Sequence, residues 1–342
     1  MKKTYRAMQV TTPGRLELVE RPVPAPKPGE ALIEVEACGV CAADARDIER
    51  ANPARQPPRV PGHEIAGRIA AIADGESSPW KVGQRVGIGR LGGHCNRCLQ
   101  CRRGEFQLCE RQPVVGATCD GGYAEMMLAR TTALVAIPDE LRSEEAAPIL
   151  CAGIATFNAL KKTGAQAGDP VAVLGIGGLG HLALQYARKM GFEVIAVGRG
   201  ADISADALML GAHLYIDTER EDAAAVLQRM GGAQAIVATI GHAEAIGKLL
   251  PGLAPQGTLV VLGTGQDPLP VSASQLIGSE RRMLGSLTGT PHENEKTLRF
   301  SVLTNVRPMI ETMPLESANE AYQRMKSGAA KFRVVLTMGT PR

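Results

Sequence analysis

The chain has 342 residues, 44% of them hydrophobic and 21% charged, which is long enough for two cores rather than one and ordinary for a soluble globular protein. Its formal charge of +3 includes no long basic run interleaved with aromatics, which excludes a nucleic-acid-binding footprint. Met1-Lys2-Lys3 is followed by Thr4, Tyr5, Arg6 and Gln9, which interrupt the apolar region of a secretory signal, and no later run is long enough to span a bilayer, so a cytoplasmic location is expected.

Residues 1–37 read as β-rich, with short apolar or alternating runs at Ala7 to Val10, Leu16 to Val19 and Ala31 to Val35. The proline-rich connection Pro22 to Gly29 cannot be a central strand, because proline removes ladder donors. Cys38-Gly39-Val40-Cys41-Ala42-Ala43-Asp44 follows, then a polar helical stretch to about Ala51, then Pro61-Gly62-His63-Glu64 opening a strand over Ile65 to Ile72. Cys38 and Cys41 spell C-x-x-C, but no thioredoxin-like βαβ unit surrounds them, and Cys38 reads as a buried strand cysteine. His63 alone would be an ordinary structural histidine. Glu64 beside it adds a carboxylate of the kind that orients metal-bound histidines.

Eight cysteines without an export signal argue for metal or thiol chemistry rather than disulfides. Four of them, Cys95, Cys98, Cys101 and Cys109, lie in one loop at spacings of two, two and seven intervening residues. Four thiolates so placed can enclose a tetrahedral zinc with no open position, a structural site; the alternatives are free thiols or an iron–sulfur cluster, and the spacing matches neither ferredoxin run. Arg97, Arg102 and Arg103 are expected to offset the site's negative charge. Cys119 lies outside this spacing and is given no role. Tyr123 to Ala129 and Leu134 to Ile137 read as strands, and Ser143-Glu144-Glu145 as a helix N-cap.

The stretch from Leu150 to Gly180 joins Cys151, a helix over Ala152 to Thr163, a buried strand over Val171 to Leu174, and Gly175-Ile176-Gly177-Gly178-Leu179-Gly180. A G-x-G-x-x-G turn between a strand and the helix His181 to Met190 fits a dinucleotide pyrophosphate, whose charge is favoured by a helix N-terminus. Strands at Glu193 to Val197, His213 to Ile216, Ala235 to Thr239 and Thr258 to Leu262 then alternate with helices at Ala201 to Leu210, Glu221 to Met230 and Ala243 to Leu249. This series, closed by a candidate edge strand at Met283 to Leu287, predicts a Rossmann-type doubly wound parallel sheet. The tail, with helices near Glu293 to Leu303 and Pro314 to Lys326 and a last strand over Arg333 to Thr337, is not a further βαβ unit and is expected to return to the first domain.

In this order, C-G-V-C, P-G-H-E, C-x2-C-x2-C-x7-C, L-C-A-G, G-I-G-G-L-G and the late Gly285-Ser286-Leu287-Thr288-Gly289-Thr290, the chain resembles the zinc-dependent medium-chain alcohol dehydrogenases along essentially its full length. The resemblance implies an α/β protein: a β-rich, GroES-like catalytic domain over 1–152 and 290–342, with a structural zinc lobe at about 92–112, and a Rossmann domain over 153–289. It implies a catalytic zinc on Cys41, His63 and Cys151, Glu64 as a carboxylate that orients or transiently binds the metal, and Asp44 as the partner of His63. It also implies a structural zinc on the four loop cysteines, and cofactor contacts at the glycine turn, Ser286 and Arg333, the last reaching the pyrophosphate. Such a protein would be an NAD(P)-dependent alcohol dehydrogenase or aldehyde reductase acting on small alcohols, aldehydes or ketones, assembled as a homodimer or homotetramer.

After the second strand of the series the chain reads Val197-Gly198-Arg199-Gly200. No carboxylate stands there to bind a ribose 2′-hydroxyl, and Arg199 can pair with a 2′-phosphate, so NADP(H) is favoured over NAD(H), with Asp202 as the acid of the alternative. Leu91 and Arg90 are expected to line the substrate pocket, where a cationic Arg90 would favour polar or anionic substrates. A polyol or sugar-alcohol dehydrogenase of the same family, and a low-turnover protein that binds zinc and nucleotide, are the competing readings. The family commonly places Ser or Thr two residues, and often His five residues, after the first zinc cysteine as a proton path; here those positions are Ala43 and Arg46. Protons are therefore expected to leave through water and the ribose hydroxyl. Ala43→Ser should speed alcohol oxidation and alter its pH profile; an unchanged rate and profile would show that the missing hydroxyl is irrelevant.

Overall fold

Alternating apolar residues pair the first third of the chain as antiparallel strands. The computed structural model describes residues 3–49, 58–73 and 78–339, and within these β1 (Thr4–Thr12) and β2 (Arg15–Pro22) form a hairpin, Tyr5 facing Arg21. β3 (Glu30–Val40) is buried along almost its whole length. Helix α1 (Asp44–Glu49) follows, and the rest of the expected helix, from residue 50 on, lies outside the described residues. Next come β4 (Ile65–Ile72), β5 (Arg85–Ile88), the short helix α2 (Leu99–Arg102), β6 (Met126–Arg130), β7 (Val135–Ala136) and α3 (Ser143–Pro148).

β3 pairs antiparallel with β4, Cys38 opposite Ile65, and with β6, Leu32 opposite Leu128. Because β3 ends where β4 begins, Cys41 and His63-Glu64 leave the sheet at one edge, and Gly39 N–H donates to Glu64 O at 2.9 Å. Ile33, Val35, Ile65 and Ile69 fill the core beneath, each contributing about 1.5–3 kcal/mol by its burial. Cys38 is fully buried among them, outside any disulfide, its thiol donating to Gly39 O at 3.7 Å.

Arg142, not Ser143, occupies the cap position of α3: Glu145 accepts from Arg142 N–H at 3.1 Å. The Ser143 hydroxyl is drawn away to Glu36, whose carboxylate is the stronger acceptor. After α3 the chain widens into a π-helical turn, Ile149–Gly153, so regular helix α4 (Ile154–Lys162) begins two residues later than the sequence suggests. Such widened turns are frequent at functional positions, and this one carries Cys151.

The chain divides into two units, Met1–Cys151 with Gly289–Arg342, and Ala152–Thr288. The second begins with α4 and contains β8 (Pro170–Leu174), α5 (Gly180–Lys189), β9 (Glu193–Gly198), α6 (Ser204–Met209), β10 (Leu214–Asp217), α7 (Ala223–Arg229), β11 (Ala233–Ala238), α8 (Ala243–Leu249), β12 (Leu253–Val261), α9 (Ala273–Ile277) and β13 (Arg282–Gly285). Its six strands are parallel in the order β10-β9-β8-β11-β12-β13, the doubly wound arrangement whose order reverses between the first and fourth strands of the unit. Ala172, Leu174, Ile195, Val197, Ile236 and Leu259 form its core. Coverage on both faces accounts for the unbroken apolar runs that mark these strands in the sequence.

The tail returns to the first unit. Helix α10 (Pro291–Thr304) has Thr290 as its cap, accepting from Glu293 N–H at 3.2 Å while Glu293 accepts from Thr290 N–H at 2.8 Å, the reciprocal capping arrangement. β14 (Ile310–Pro314), α11 (Ala318–Ser327) and β15 (Arg333–Thr337) complete the chain, β15 lying antiparallel to β3 with Leu336 opposite Cys38. β14 is the strand that sequence reasoning passes over, because it ends in proline; as the outer strand of the sheet, paired only with β15 among the described residues, it tolerates one.

Candidate functional site

At the end of β3 and the start of β4, the Cys41, His63, Glu64 and Cys151 ligand atoms all lie within 4.8 Å of one another. Cys151 Sγ is 3.3 Å from His63 Nε2. Around a tetrahedral ion with bonds of about 2.3 Å to sulfur and 2.0 Å to nitrogen, these atoms would stand roughly 3.6 Å apart. Three soft or borderline donors and one open corner are what a zinc with an exchangeable position requires.

The surrounding groups orient these donors. Asp44 is fully buried and takes three hydrogen bonds: from His63 Nδ1 at 2.6 Å, from the Tyr123 hydroxyl at 3.0 Å and from Cys41 N–H at 3.1 Å. The bond to Nδ1 places the ring proton there and leaves the Nε2 lone pair free for a metal. Burial pulls the His63 pKa down, but Asp44 and the Cys41 sulfur outweigh it and push it up to about 10. Cys41 is held well below the usual thiol range by hydrogen bonding from Cys151 and by the imidazole, so it presents a thiolate.

Glu64 is fully buried, which raises its pKa to about 7 against the opposing pull of Arg333. Its Oε1 accepts from Arg333, which also donates to Val40 O at 3.2 Å. Arg333, only 4% exposed, is therefore engaged inside the first unit. Glu64 Oε2 and Arg333 Nε have no hydrogen-bond partner among the described residues, so one carboxylate oxygen remains beside the cluster to orient or meet a cation. Tyr123 and the Arg333–Glu64 pair carry no local sequence signal, since their partners are 79 and 269 positions away.

Arg90 departs from expectation. Its guanidinium is turned onto α1, 2.7 Å from Asp47 and 3.9 Å from Asp44, so its charge is met by carboxylates rather than left free for an anionic substrate. Ala43 is half-buried and Arg46 exposed at the start of α1.

Cys95, Cys98, Cys101 and Cys109 bring all four sulfurs within 4.8 Å of one another, with Sγ–Sγ separations of 3.5 Å for Cys98–Cys101 and 3.9 Å for Cys98–Cys109 and Cys95–Cys101. A tetrahedral zinc with bonds of about 2.3 Å would place sulfurs roughly 3.8 Å apart. The charge compensation expected of Arg97, Arg102 and Arg103 comes first from the backbone: the N–H groups of Arg97 and Cys98 draw Cys95 down to about 6. Cys95 N–H and Arg111 N–H both point at Cys109 Sγ at 3.4 Å. Cys119 stands apart, with Sγ 3.8 Å from Val114 O.

In the second unit, Gly175, Ile176, Gly177, Gly178 and Leu179 form the turn from β8 to α5. A Cβ on Gly180 would lie 1.9 Å from Gly175 O, so no side chain fits where helix and strand approach. Thr239, just after β11, donates to Leu174 O and Gly175 O at 2.9 Å each. The turn thus sits at the carboxyl ends of the two strands where the sheet order reverses, the position at which doubly wound sheets bind ligands. Gly198 ends β9, and Arg199 beyond it is 84% exposed, 3.9 Å from Glu219. Ser286 accepts from Lys162 at 3.0 Å. Asp217, an acid that sequence reasoning does not single out, secures this corner by accepting from Gly200 N–H at 2.8 Å and Glu219 N–H at 3.0 Å.

A cluster of thiols and imidazole in the first unit and a glycine turn at the switch point of a doubly wound sheet in the second are the parts of a zinc-binding dehydrogenase. Residues 27–139 match the alcohol dehydrogenase GroES-like domain, and residues 178–302 match the zinc-binding dehydrogenase family. Over 323 residues the chain is 42% identical to an alcohol dehydrogenase of Aspergillus sp. (strain MF297-2), covering 94% of each chain. It is similar to the solved acetophenone reductase from Geotrichum candidum in complex with NAD, at 27% identity over 99% of this chain and 98% of that one with a TM-score of 0.87. It is also similar to the Helicobacter pylori CAD complexed with NADP(H), at 27% identity over 99% of both chains with a TM-score of 0.85. The chain belongs to the zinc-dependent medium-chain alcohol dehydrogenase family.

Room for Glu64 depends on Gly39, where a Cβ would lie 1.9 Å from Glu64 Oε2 and 2.9 Å from its carboxyl carbon. Gly39→Ala should therefore displace this carboxylate and cost about 1–3 kcal/mol, measured by denaturant unfolding. Unchanged stability would show that the carboxylate has room to move.

Proposed function

We propose that this protein interconverts primary or secondary alcohols with aldehydes or ketones, using NADP(H) and a zinc held by Cys41, His63 and Cys151, while a second zinc held by Cys95, Cys98, Cys101 and Cys109 maintains the loop around them. In this reading residues 1–152 and 290–342 form the catalytic domain and residues 153–289 the dinucleotide-binding domain. The observation that carries it is the convergence of two sulfurs and one imidazole nitrogen within 4.8 Å, from positions 41, 63 and 151. When bound, zinc supplies Lewis acidity toward the alcohol or carbonyl oxygen, and the nicotinamide accepts or gives the hydride.

The chain's own residues prepare that chemistry. Cys41, His63 and Cys151 bind the metal on one side and leave a tetrahedral corner for substrate oxygen. Two thiolates and a neutral imidazole balance the double positive charge of the ion, so the site stays formally neutral. Asp44 keeps the imidazole in the tautomer that offers Nε2. Arg333 neutralises one oxygen of Glu64 and leaves the other without a hydrogen-bond partner among the described residues. Neither Ala43 nor Arg46 provides a hydroxyl or imidazole, so the alcohol proton leaves through water.

Cys41→Ser and Cys151→Ala should each lower zinc by one atom per chain and reduce turnover by more than the ~10–100-fold typical of outer-shell changes. Cys101→Ala should lose the other zinc and lower the melting temperature. Metal analysis of the purified variants decides this: a Cys41→Ser protein with the full zinc content would overturn the assignment.

The cofactor preference rests on Arg199. Its pair with Glu219 is highly exposed and 3.9 Å long, worth about 0–1 kcal/mol, so the guanidinium can turn to a 2′-phosphate. A charge-assisted bond contributes about 1.5–3 kcal/mol. Arg199→Ala should therefore reduce kcat/KM with NADPH about 10- to 100-fold and leave that with NADH nearly unchanged. A wild-type preference for NADH would end this reading.

A further inference from the structure

The first turn of α1 holds two acids, Asp44 and Asp47, and only Asp44 touches a residue of the metal cluster. Like charges one turn apart on a helix oppose each other, and Asp44 is fully buried. Arg90, two residues past the end of β5, answers both. One of its terminal nitrogens is 2.7 Å from Asp47 Oδ2, an ion pair without hydrogen-bond alignment; the other is 3.9 Å from Asp44 Oδ1 and 3.3 Å from His63 Nδ1. Its side chain is 20% exposed.

We propose that Arg90 is a positioning residue for the metal: anchored by Asp47, its guanidinium holds the Asp44 carboxylate against His63 and so fixes the direction in which Nε2 points. The proposal rests on the assignment of zinc to Cys41, His63 and Cys151.

The chemistry of the contact supports this role over a direct bond to the ring. A guanidinium carries only donors. It can bond Nδ1 only when that nitrogen is bare, which puts the proton on Nε2 and removes the lone pair a metal needs. The 2.6 Å contact between Nδ1 and Asp44 is the shorter and charge-assisted one, so Nδ1 keeps its proton and donates it to the carboxylate. Arg90 then acts on Asp44 by charge, and on the imidazole as a wall that limits its rotation. Arg333 pairs with Glu64 more closely, by a direct hydrogen bond. Each buried carboxylate behind the ligands thus has its own guanidinium, and for Asp44 that guanidinium is held by a second acid.

The measurement is the rate at which the intact zinc-loaded protein loses metal to a chelator, together with the visible spectrum of the cobalt-substituted protein, which reports ligand geometry. Arg90→Met keeps the aliphatic stem and removes the charge; it should release one zinc per chain about 10–100-fold faster, the range for loss of an outer-shell partner, with a shifted cobalt spectrum. The second zinc should stay bound, which shows that the chain is folded. Arg90→Lys should restore part of the retention. Asp47→Asn, which leaves Arg90 in place but loosens its anchor, should fall between and serves if Arg90→Met does not fold. Wild-type release and spectrum in both Arg90→Met and Asp47→Asn would overturn the proposal, as would a change confined to KM for anionic substrates. Failure of the underlying zinc assignment reads differently: Cys41→Ser would then retain full zinc.

Discussion

The antiparallel pairing of β3 with β4 is the constraint from which the site follows. One strand ends where the other begins, so Cys41 and His63-Glu64 leave the sheet side by side, with Gly39 and Glu64 joined by a backbone hydrogen bond. β15 lies on the opposite edge of β3 and starts at Arg333, which brings that guanidinium to Glu64. A slip of one residue in either pairing would turn these side chains to the wrong face. The almost complete burial of β3 is what makes such a slip costly.

Gathering thiols, an imidazole and carboxylates in a water-poor corner is unfavourable unless every charge has a counterpart. Asp44 receives three hydrogen bonds and the nearby charge of Arg90, and Glu64 receives Arg333. What is left at the centre is the donor set itself, two sulfurs and Nε2, with one unpartnered oxygen of Glu64. The tetracysteine loop reaches a similar end differently: backbone N–H groups turn toward the sulfurs in a loop too small for a core of its own.

The second unit shows a comparable economy. Its strand order places the β8 turn and the end of β11 together, and Thr239 ties them through the carbonyls of Leu174 and Gly175. The glycines serve close packing there: with any side chain at Gly180, α5 could not begin so near β8.

Features governed by neighbours along the chain were legible in the residues alone. The four-cysteine spacing, the glycine turn, the alternation of strands and helices from Val171 to Leu262, and the cysteine and histidine at the ends of β3 and β4 all express constraints acting over a few positions: metal bond lengths, φ preferences, and periods of 2 and 3.6. The errors were local too, and each arose where tertiary context prevailed. Arg142 took the cap position from Ser143, whose hydroxyl went to Glu36, β14 tolerated its proline at a sheet edge, and the helix after Cys151 began with a widened turn. Sequence alone thus singled out the residues proposed to hold a metal or a dinucleotide. Only the tertiary structure decided what stands behind them: Tyr123 and Arg90 on Asp44, and Arg333 on Glu64. The physical reason is that the identity of a buried charge's partner depends on which strands abut, and no spacing along the chain records that.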